Sequence, residues 1–311
     1  MTPSADEISR LCQLVNELSG IQWDATKGYL IETRLVPLLK AFGFANFRQL
    51  VEGVRRGQNP DLRRAFIDAI TTRETLFFRD ETPFQALREK LLPEIIAAKR
   101  RPGQSRRLRL WSAACSSGQE PYSLAILLHE LIPDISRWEI EILATDLSPA
   151  ALVSAARGLY TDFEVARGLS PDVRGRHFEQ TPDGWAVRDH LKRPIRFERR
   201  NLLEPFEGLT GFDVVFCRNV AIYFDLATRK DLFERLANTL EPHGVLFAGC
   251  SETLTGYGDR WKPRFHGLAC YYLPGNDSPS PDASEAPLAT NAPLGSSAIQ
   301  ARAHNAVVAA R

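Results

Sequence analysis

The chain predicts an α/β fold built on an open, mostly parallel sheet and preceded by an all-helical segment. Three observations carry this. Over roughly the first hundred positions apolar residues recur at spacings of three and four, with no strand-like alternation. From Leu108 onward, short apolar runs alternate with helical periods. Polar residues follow four successive apolar runs, where a parallel sheet presents its ligand edge.

The helical segment begins with Ile8, Leu11, Val15 and Leu18 on one face, ending at Gly20. Ile31, Leu35, Leu38 and Phe42 form a second face ending at Gly43, and Pro37 inside it predicts a kink or two shorter helices. A third helix, Phe47 to Arg56, and a fourth, Asp61 to Ile70, direct Arg48, Arg55, Arg56, Arg63 and Arg64 away from Leu50, Val54, Leu62, Phe66 and Ile70. Such arginines are ordinarily a solvated face; the sharper reading is a docking surface for an acidic partner. Ile70 to Phe84, ITTRETLFFRDETPF, has no clear period and reads as a crossing between domains. A helix from Pro83 to about Lys99 and an exposed basic linker, KRRPGQSRR, follow.

The centre of the chain is Leu108 to Ile132, where strand, short loop and helix follow without a break. Leu108, Leu110 and Trp111 are apolar, Ser116, Ser117 and Gly118 permit a tight turn, and Pro121 suits a first helical turn. With one glycine, the loop does not match the dinucleotide fingerprint GxGxxG. The next strand, IEILAT, delivers Asp146, somewhat past the usual interval for a carboxylate that binds ribose hydroxyls; capping the helix that starts at Ser148 is the alternative.

From Leu159 to Pro194 the rhythm lapses into a small insertion with a hairpin turning at Pro182, Asp183 and Gly184. It resumes with IRFE, leading to Asn201 and Leu202, and with Phe212 to Cys217, which ends in Arg218, Asn219 and Val220 ahead of Tyr223. Phe233, Leu236 and Leu240 mark a helix stopped by Pro242, His243 and Gly244. Val245 to Ala248 is a core strand, and Trp261 to Phe265 with Ala269 to Leu273 predict an antiparallel edge. After Pro274 no aromatic residue remains, and disorder is expected.

Composition narrows the function classes. The 311 residues suffice for two domains, and 44% hydrophobic with 25% charged residues is a globular balance. No run reaches the roughly 18 apolar residues of a membrane span, and MTPSADEISR is unlike a secretory leader, so a cytoplasmic location is expected. Five cysteines without CxxC or a Cys/His cluster indicate neither a disulfide framework nor a metal site; they are expected to be small core residues. A net charge of +1 argues against wholesale nucleic-acid binding.

The blocks TTRETLFFRD (Thr71 to Asp80), WSAACSSGQEPYSLA (Trp111 to Ala125), ATDLS, NLL, FCRNVAIYFD (Phe216 to Asp225) and LFAGCSE (Leu246 to Glu252), in this order, resemble the CheR chemotaxis protein methyltransferases. The resemblance covers roughly residues 5–273. It implies a helical N-terminal domain (1–80) and a class I methyltransferase domain of Rossmann-like α/β type (81–274). A small β-subdomain (about 160–195) would be inserted late in the sheet, leaving a tail (275–311). The implied cofactor is S-adenosyl-L-methionine, with S-adenosyl-L-homocysteine as product.

By motif, Arg73, Thr75 and Arg79 would close over the methionine end of the cofactor. Glu120 and Asp146 would hold its polar groups, Asn201 and Leu202 would frame the adenine, and Asn219 and Val220 would border the methyl. Arg79, Arg218 and Tyr223 would face the reacting carboxylate, with Arg79 suited to positioning. The implied substrate is a glutamate γ-carboxylate on the cytoplasmic helical bundle of a chemoreceptor, met by the basic N-terminal helices, with the β-subdomain as a second docking candidate. The compact TPDG turn favours binding without a tethering peptide, and a monomer is expected. Gln119 and Ala221 depart from residues common in the family. A signalling scaffold without turnover is the competing reading from another class. A base methyltransferase is disfavoured because RNVAIYF stands where an Asn/Asp-Pro-Pro-Tyr-like motif would hold an extruded base.

Overall fold

The structure, a computed structural model, describes residues 2–257 and 259–275. The expected disorder after Pro274 therefore falls almost wholly outside the described residues. Helix α1 (Ala5–Ser19) starts on a capping box between Ser4 and Glu7 and ends on Gly20 at φ 75°, the left-handed geometry that glycine adopts without strain. Helix α2 (Gly28–Phe42) runs through Pro37 as one element rather than two, with Ile31, Leu35 and Leu39 buried along it. Packing outweighs the lost N–H. Helices α3 (Phe47–Arg56) and α4 (Pro60–Ile70) are capped by Asn46 and Asn59, and close a core around Leu11, Leu35, Leu50 and Phe66.

Residues 71–81 cross to the sheet without regular structure. Helix α5 (Thr82–Ala86), a π-helical turn at Leu87–Leu91 and helix α6 (Leu92–Lys99) follow as one helical stretch. Pro93 sits in the first turn of α6, and the wider π turn before it accommodates a residue with no N–H to donate.

The main sheet has the order β6-β2-β1-β7-β8-β10-β9, formed from β1 (Arg107–Ala113), β2 (Glu139–Asp146), β6 (Ile195–Arg199), β7 (Phe212–Cys217), β8 (Leu240–Ala248), β9 (Trp261–His266) and β10 (Ala269–Pro274). The first five are parallel neighbours, and β10 and β9 add the expected antiparallel edge. Every residue of β7 is buried, including Asp213, whose carboxylate meets Lys99 Nζ at 2.8 Å within an otherwise apolar run. Helices α7 (Gln119–Leu131) and α8 (Pro149–Arg157) follow β1 and β2, and α12 (Leu226–Ala237) precedes β8. Two apolar layers flank the sheet, one under α5 to α7 and the other under α12.

Two expectations need correction. Pro242, His243 and Gly244 do not stop a helix: α12 ends at Ala237, and all three lie within β8. There the pairing steps from Phe212 against Leu240 to Val214 against Val245, a bulge that tolerates proline inside a strand. Nor is the insertion late. A three-stranded sheet, β3 (Leu159–Tyr160), β5 (Gly184–Val187) and β4 (Phe178–Thr181), with helices α9 (Asp162–Ala166), α10 (Pro171–His177) and α11 (Asp189–Lys192), lies between α8 and β6, the third main-sheet strand in sequence. The cysteines also divide: Cys115 and Cys217 are buried, whereas Cys250 is exposed.

Three histidines join the insertion to α7. His177 Nδ1 and His190 Nε2 are 3.0 Å apart and share one proton, while His129 Nε2 meets the His190 carbonyl at 3.1 Å. Burial, with the neighbouring His190 and Arg176, pushes His177 down to about 4, and burial lowers His190 as well. The folded state thus prefers a neutral His177 and the unfolded chain does not. The resulting stability is full above the unfolded pKa of about 6.5 and is lost as pH falls from there to about 4. Thermal midpoints measured across this window should fall less steeply for His177→Gln than for the unaltered protein. Equal slopes would remove His177 as the source.

Candidate functional site

The chain leaves β1 towards β2 on one side and returns towards β7 on the other, so the carboxyl ends of β1 and β7 form the switch point of the sheet. A cavity of about 550 Å³ lies there, within the usual range for a small-molecule site. The sheet supplies Ala114, Ser116, Glu120, Asp146 and Asn219, and the helical segment supplies an opposite wall that includes Trp23, Leu30 and Arg34. Backbone strain gathers at the same place: Ala114, Ser116 and Asn219 have φ of 64°, 50° and 57°. Non-glycine residues keep such angles only where their surroundings over-determine them.

Asp146 is both a brace and a free acceptor. Its Oδ2 accepts the Ser116 N–H at 2.9 Å and its Oδ1 accepts the Ser148 N–H at 2.8 Å, tying the loops after β1 and β2 together. Each carboxylate oxygen has two acceptor positions, so capacity remains towards the cavity. Burial pushes this carboxyl up, and the N–H groups of Ser148 and Ser116 pull it back. The cap of α8 is Ser148, whose Oγ accepts the Ala151 N–H at 3.1 Å, so Asp146 braces the cap residue rather than capping the helix itself.

Arg218 is 1% exposed in its side chain and is spent on the protein. Nη1 donates to Glu120 Oε2 at 3.0 Å, and Nη2 donates to the Arg79 carbonyl at 2.7 Å and to Asp80 Oδ2 at 2.8 Å. Ser112 Oγ donates to the other Glu120 oxygen at 2.7 Å. Burial pushes the Glu120 carboxyl up and the Arg218 charge is the largest influence holding it down. Arg218 thus brackets the crossing segment to α7. Its position directly after β7 also leaves it lining the cavity, with both Nη groups engaged and Nε without a partner among the described residues.

Asn201 is similarly committed. Its Nδ2 donates to the Leu18 carbonyl at 2.9 Å and its Oδ1 accepts the Leu203 N–H at 3.1 Å, which fastens α1 to the loop after β6 beside Leu202. Thr75, Arg79, Asn219, Val220 and Tyr223 all line the cavity. Arg79 is half-buried with Nη1 on the Glu74 carbonyl at 3.0 Å, and Tyr223 is 37% exposed at the mouth. Arg73 is exposed and is not brought to the cavity.

Sequence reasoning missed the helical wall and three clips that hold it in place. Asp68 of α4 accepts the Ala150 N–H at 3.1 Å, the Gln22 N–H donates to the Tyr223 carbonyl at 2.8 Å, and Arg34 donates to the Ile70 carbonyl at 3.3 Å. No local spacing marks these residues, because each acts across the chain. Glu252, after β8, was also missed, although an acidic residue so soon after an apolar strand was visible.

Residues 73–266 match the family described as CheR methyltransferase, SAM binding domain, and residues 6–71 match CheR methyltransferase, all-alpha domain. The chain belongs to the CheR methyltransferase family. A chemotaxis protein methyltransferase 1 of Vibrio cholerae is 41% identical over 270 residues, covering 84% of this chain and 94% of the relative. The chemotaxis protein methyltransferase Cher2 of Pseudomonas putida is 41% identical over 247 residues, 78% of this chain and 88% of that one. This CheR chain is accordingly a methyltransferase that uses S-adenosylmethionine. The cavity fits that cofactor, because Asp146 offers spare acceptor capacity at the sheet edge beside loops strained open at Ala114 and Ser116. Among the described residues no helix is long and apolar enough to cross a membrane.

Proposed function

We propose that the enzyme esterifies glutamate γ-carboxylates on the cytoplasmic helical bundle of chemoreceptors, giving the glutamate 5-O-methyl ester and S-adenosylhomocysteine, within the cytoplasm. One observation carries this reading. Among the described residues lining the cavity there is no histidine and no cysteine, Glu120 is paired with Arg218, Asp146 is braced by backbone N–H groups, and Glu74 is exposed. The lining thus lacks histidine and cysteine and its buried carboxylates are engaged, so that apart from the exposed Glu74 its other proton-accepting side chains are Lys27, Tyr29 and Tyr223. A glutamate with an unperturbed pKa of about 4.3 needs no general base, since it arrives already ionised.

The cofactor supplies an electrophilic methyl on a sulfonium. Asp146 would receive the ribose hydroxyls, Leu202 would border the adenine, and Asn219 and Val220 would border the methyl. Thr75 and Arg79 close the opposite side, with Arg79 orienting the incoming carboxylate. The protein contributes alignment at about 3 Å and removal of water from the nucleophile. Arg218 and Glu120 act by holding the crossing segment in place.

Residues 1–80 serve as the helical domain and 81–274 as the transferase domain. The arginines of α3 and α4 contribute less to docking than their number suggests. Arg48, Arg55 and Arg56 pair with Asp6, Glu17 and Glu52 at 3.6, 3.1 and 3.5 Å, and Arg64 pairs with Asp61. Exposed pairs of this kind leave little net field. Lys27, Arg34, Arg79 and Arg229 around the cavity are better placed to steer an acidic helix.

The test is transfer of a labelled methyl group to a chemoreceptor cytoplasmic fragment, followed by mild alkali. Label released as methanol, and absent when the receptor glutamates are changed to alanine, is the expected result. Label that survives alkali would contradict ester formation, and cofactor binding without transfer would favour a scaffold.

A further inference from the structure

Glu252 is a buried carboxylate with no ion pair among the described residues and 7% exposure, placed in the turn after β8. Its Oε2 accepts the N–H groups of Gly249 and Asn219, both at 2.7 Å, and its Oε1 accepts those of Val220 and Ile222 at 2.9 and 3.1 Å. All four acceptor positions of the carboxylate are filled by backbone. Three of the four donors belong to the loop after β7, which includes the left-handed Asn219 and borders the cavity. The turn is built for this approach: a Cβ at Gly249 would stand 2.5 Å from Glu252 Oε2 and 2.9 Å from the Asn219 nitrogen.

We infer that Glu252 is a positioning residue for methyl transfer, fixing the loop from Asn219 to Ile222 in the geometry that aligns the methyl end of the site. The inference rests on reading the cavity as the methyl-transfer site. A carboxylate suits this task better than any neutral side chain. Hydrogen bonds to a charged acceptor are about twice as strong as neutral ones, and here two strands and a strained residue are fixed by one group. An amide in its place would set an N–H₂ against backbone N–H groups and lose half of the acceptor capacity.

The experiment compares the full chain with Glu252→Gln, measuring cofactor affinity by calorimetry, and kcat and KM on a receptor fragment. Expected is a fall in kcat of about 10- to 100-fold, the scale of a small misalignment, with a much smaller change in cofactor affinity and in KM. Because glycine adopts positive φ without strain, the same change made in an Asn219→Gly background should cost markedly less. Should Glu252→Gln not fold alone, Glu252→Asp, which withdraws the oxygens by one methylene, gives the same comparison. Unchanged kcat per folded molecule with only a lower thermal midpoint would overturn the inference and leave the cavity reading intact. Equal losses in both backgrounds would overturn it too. Failure of the unaltered chain to bind the cofactor would instead remove the cavity reading on which it stands.

Discussion

Replacing Arg218 with methionine should destabilise the fold by about 3–5 kcal/mol and abolish methyl transfer, because this buried side chain at the cavity wall holds two carboxylates. The cause is Glu120. With Arg218 gone, a carboxylate whose acidity burial already weakens loses its chief counter-charge, and Asp80 and the Arg79 carbonyl lose their donor. The sign follows from linkage: a carboxyl raised above its unfolded value destabilises the folded state at high pH, and the deficit shrinks as pH falls through the raised value. Denaturation of Arg218→Met should therefore show a deficit that is largest above the raised Glu120 value and shrinks as the solution is made more acidic. Adding Glu120→Gln should recover part of the stability, because the uncompensated charge disappears while the packing stays. A double variant no more stable than Arg218→Met would show that packing over Phe84 and Phe216, whose rings lie 5.7 and 5.6 Å from the guanidinium carbon, matters more than charge.

Asp146→Asn should raise the dissociation constant for S-adenosylmethionine about 10- to 100-fold. Hydrogen bonds to a charged group contribute about 1.5–3 kcal/mol each, and a tenfold change in affinity is about 1.4 kcal/mol. The amide keeps the side chain's shape but loses the negative charge and half of its acceptor capacity, while the Ser116 and Ser148 N–H groups still compete for what remains. Calorimetry on the folded variant gives the ratio. A change below about twofold would mean that Asp146 serves only to brace the two loops.

The central strands of the sheet were legible because each holds a short, mostly apolar run, and β7 coincides with Phe212 to Cys217. Convergence of polar residues at their ends followed from parallel topology alone. What local pattern could not carry was partnership across the chain. Arg218 and Glu120 stand 98 residues apart, so two residues that line the cavity were read separately although they form one ion pair. Asn201 reaches Leu18, 183 residues earlier, and the helical wall of the cavity is invisible until that contact is made. Turn signals misled for a related reason. Pro242 and Gly244 ordinarily stop helices, but pairing with β7 draws them into a bulged strand, just as packing carries α2 past Pro37. The place of the insertion, between β2 and β6 in sequence, depends on strand order and has no local signature.

The most direct measurement is a crystal structure of the full chain with S-adenosylhomocysteine. Expected is the ligand in the cavity between β1 and β7, its ribose hydroxyls on Asp146, its adenine beside Leu202, and its sulfur turned towards Asn219, Arg79 and the mouth at Tyr223. A ligand bound elsewhere, or bound with the sulfur buried against Leu202 and the adenine at the mouth, would contradict the assignment of the site and of every role derived from it.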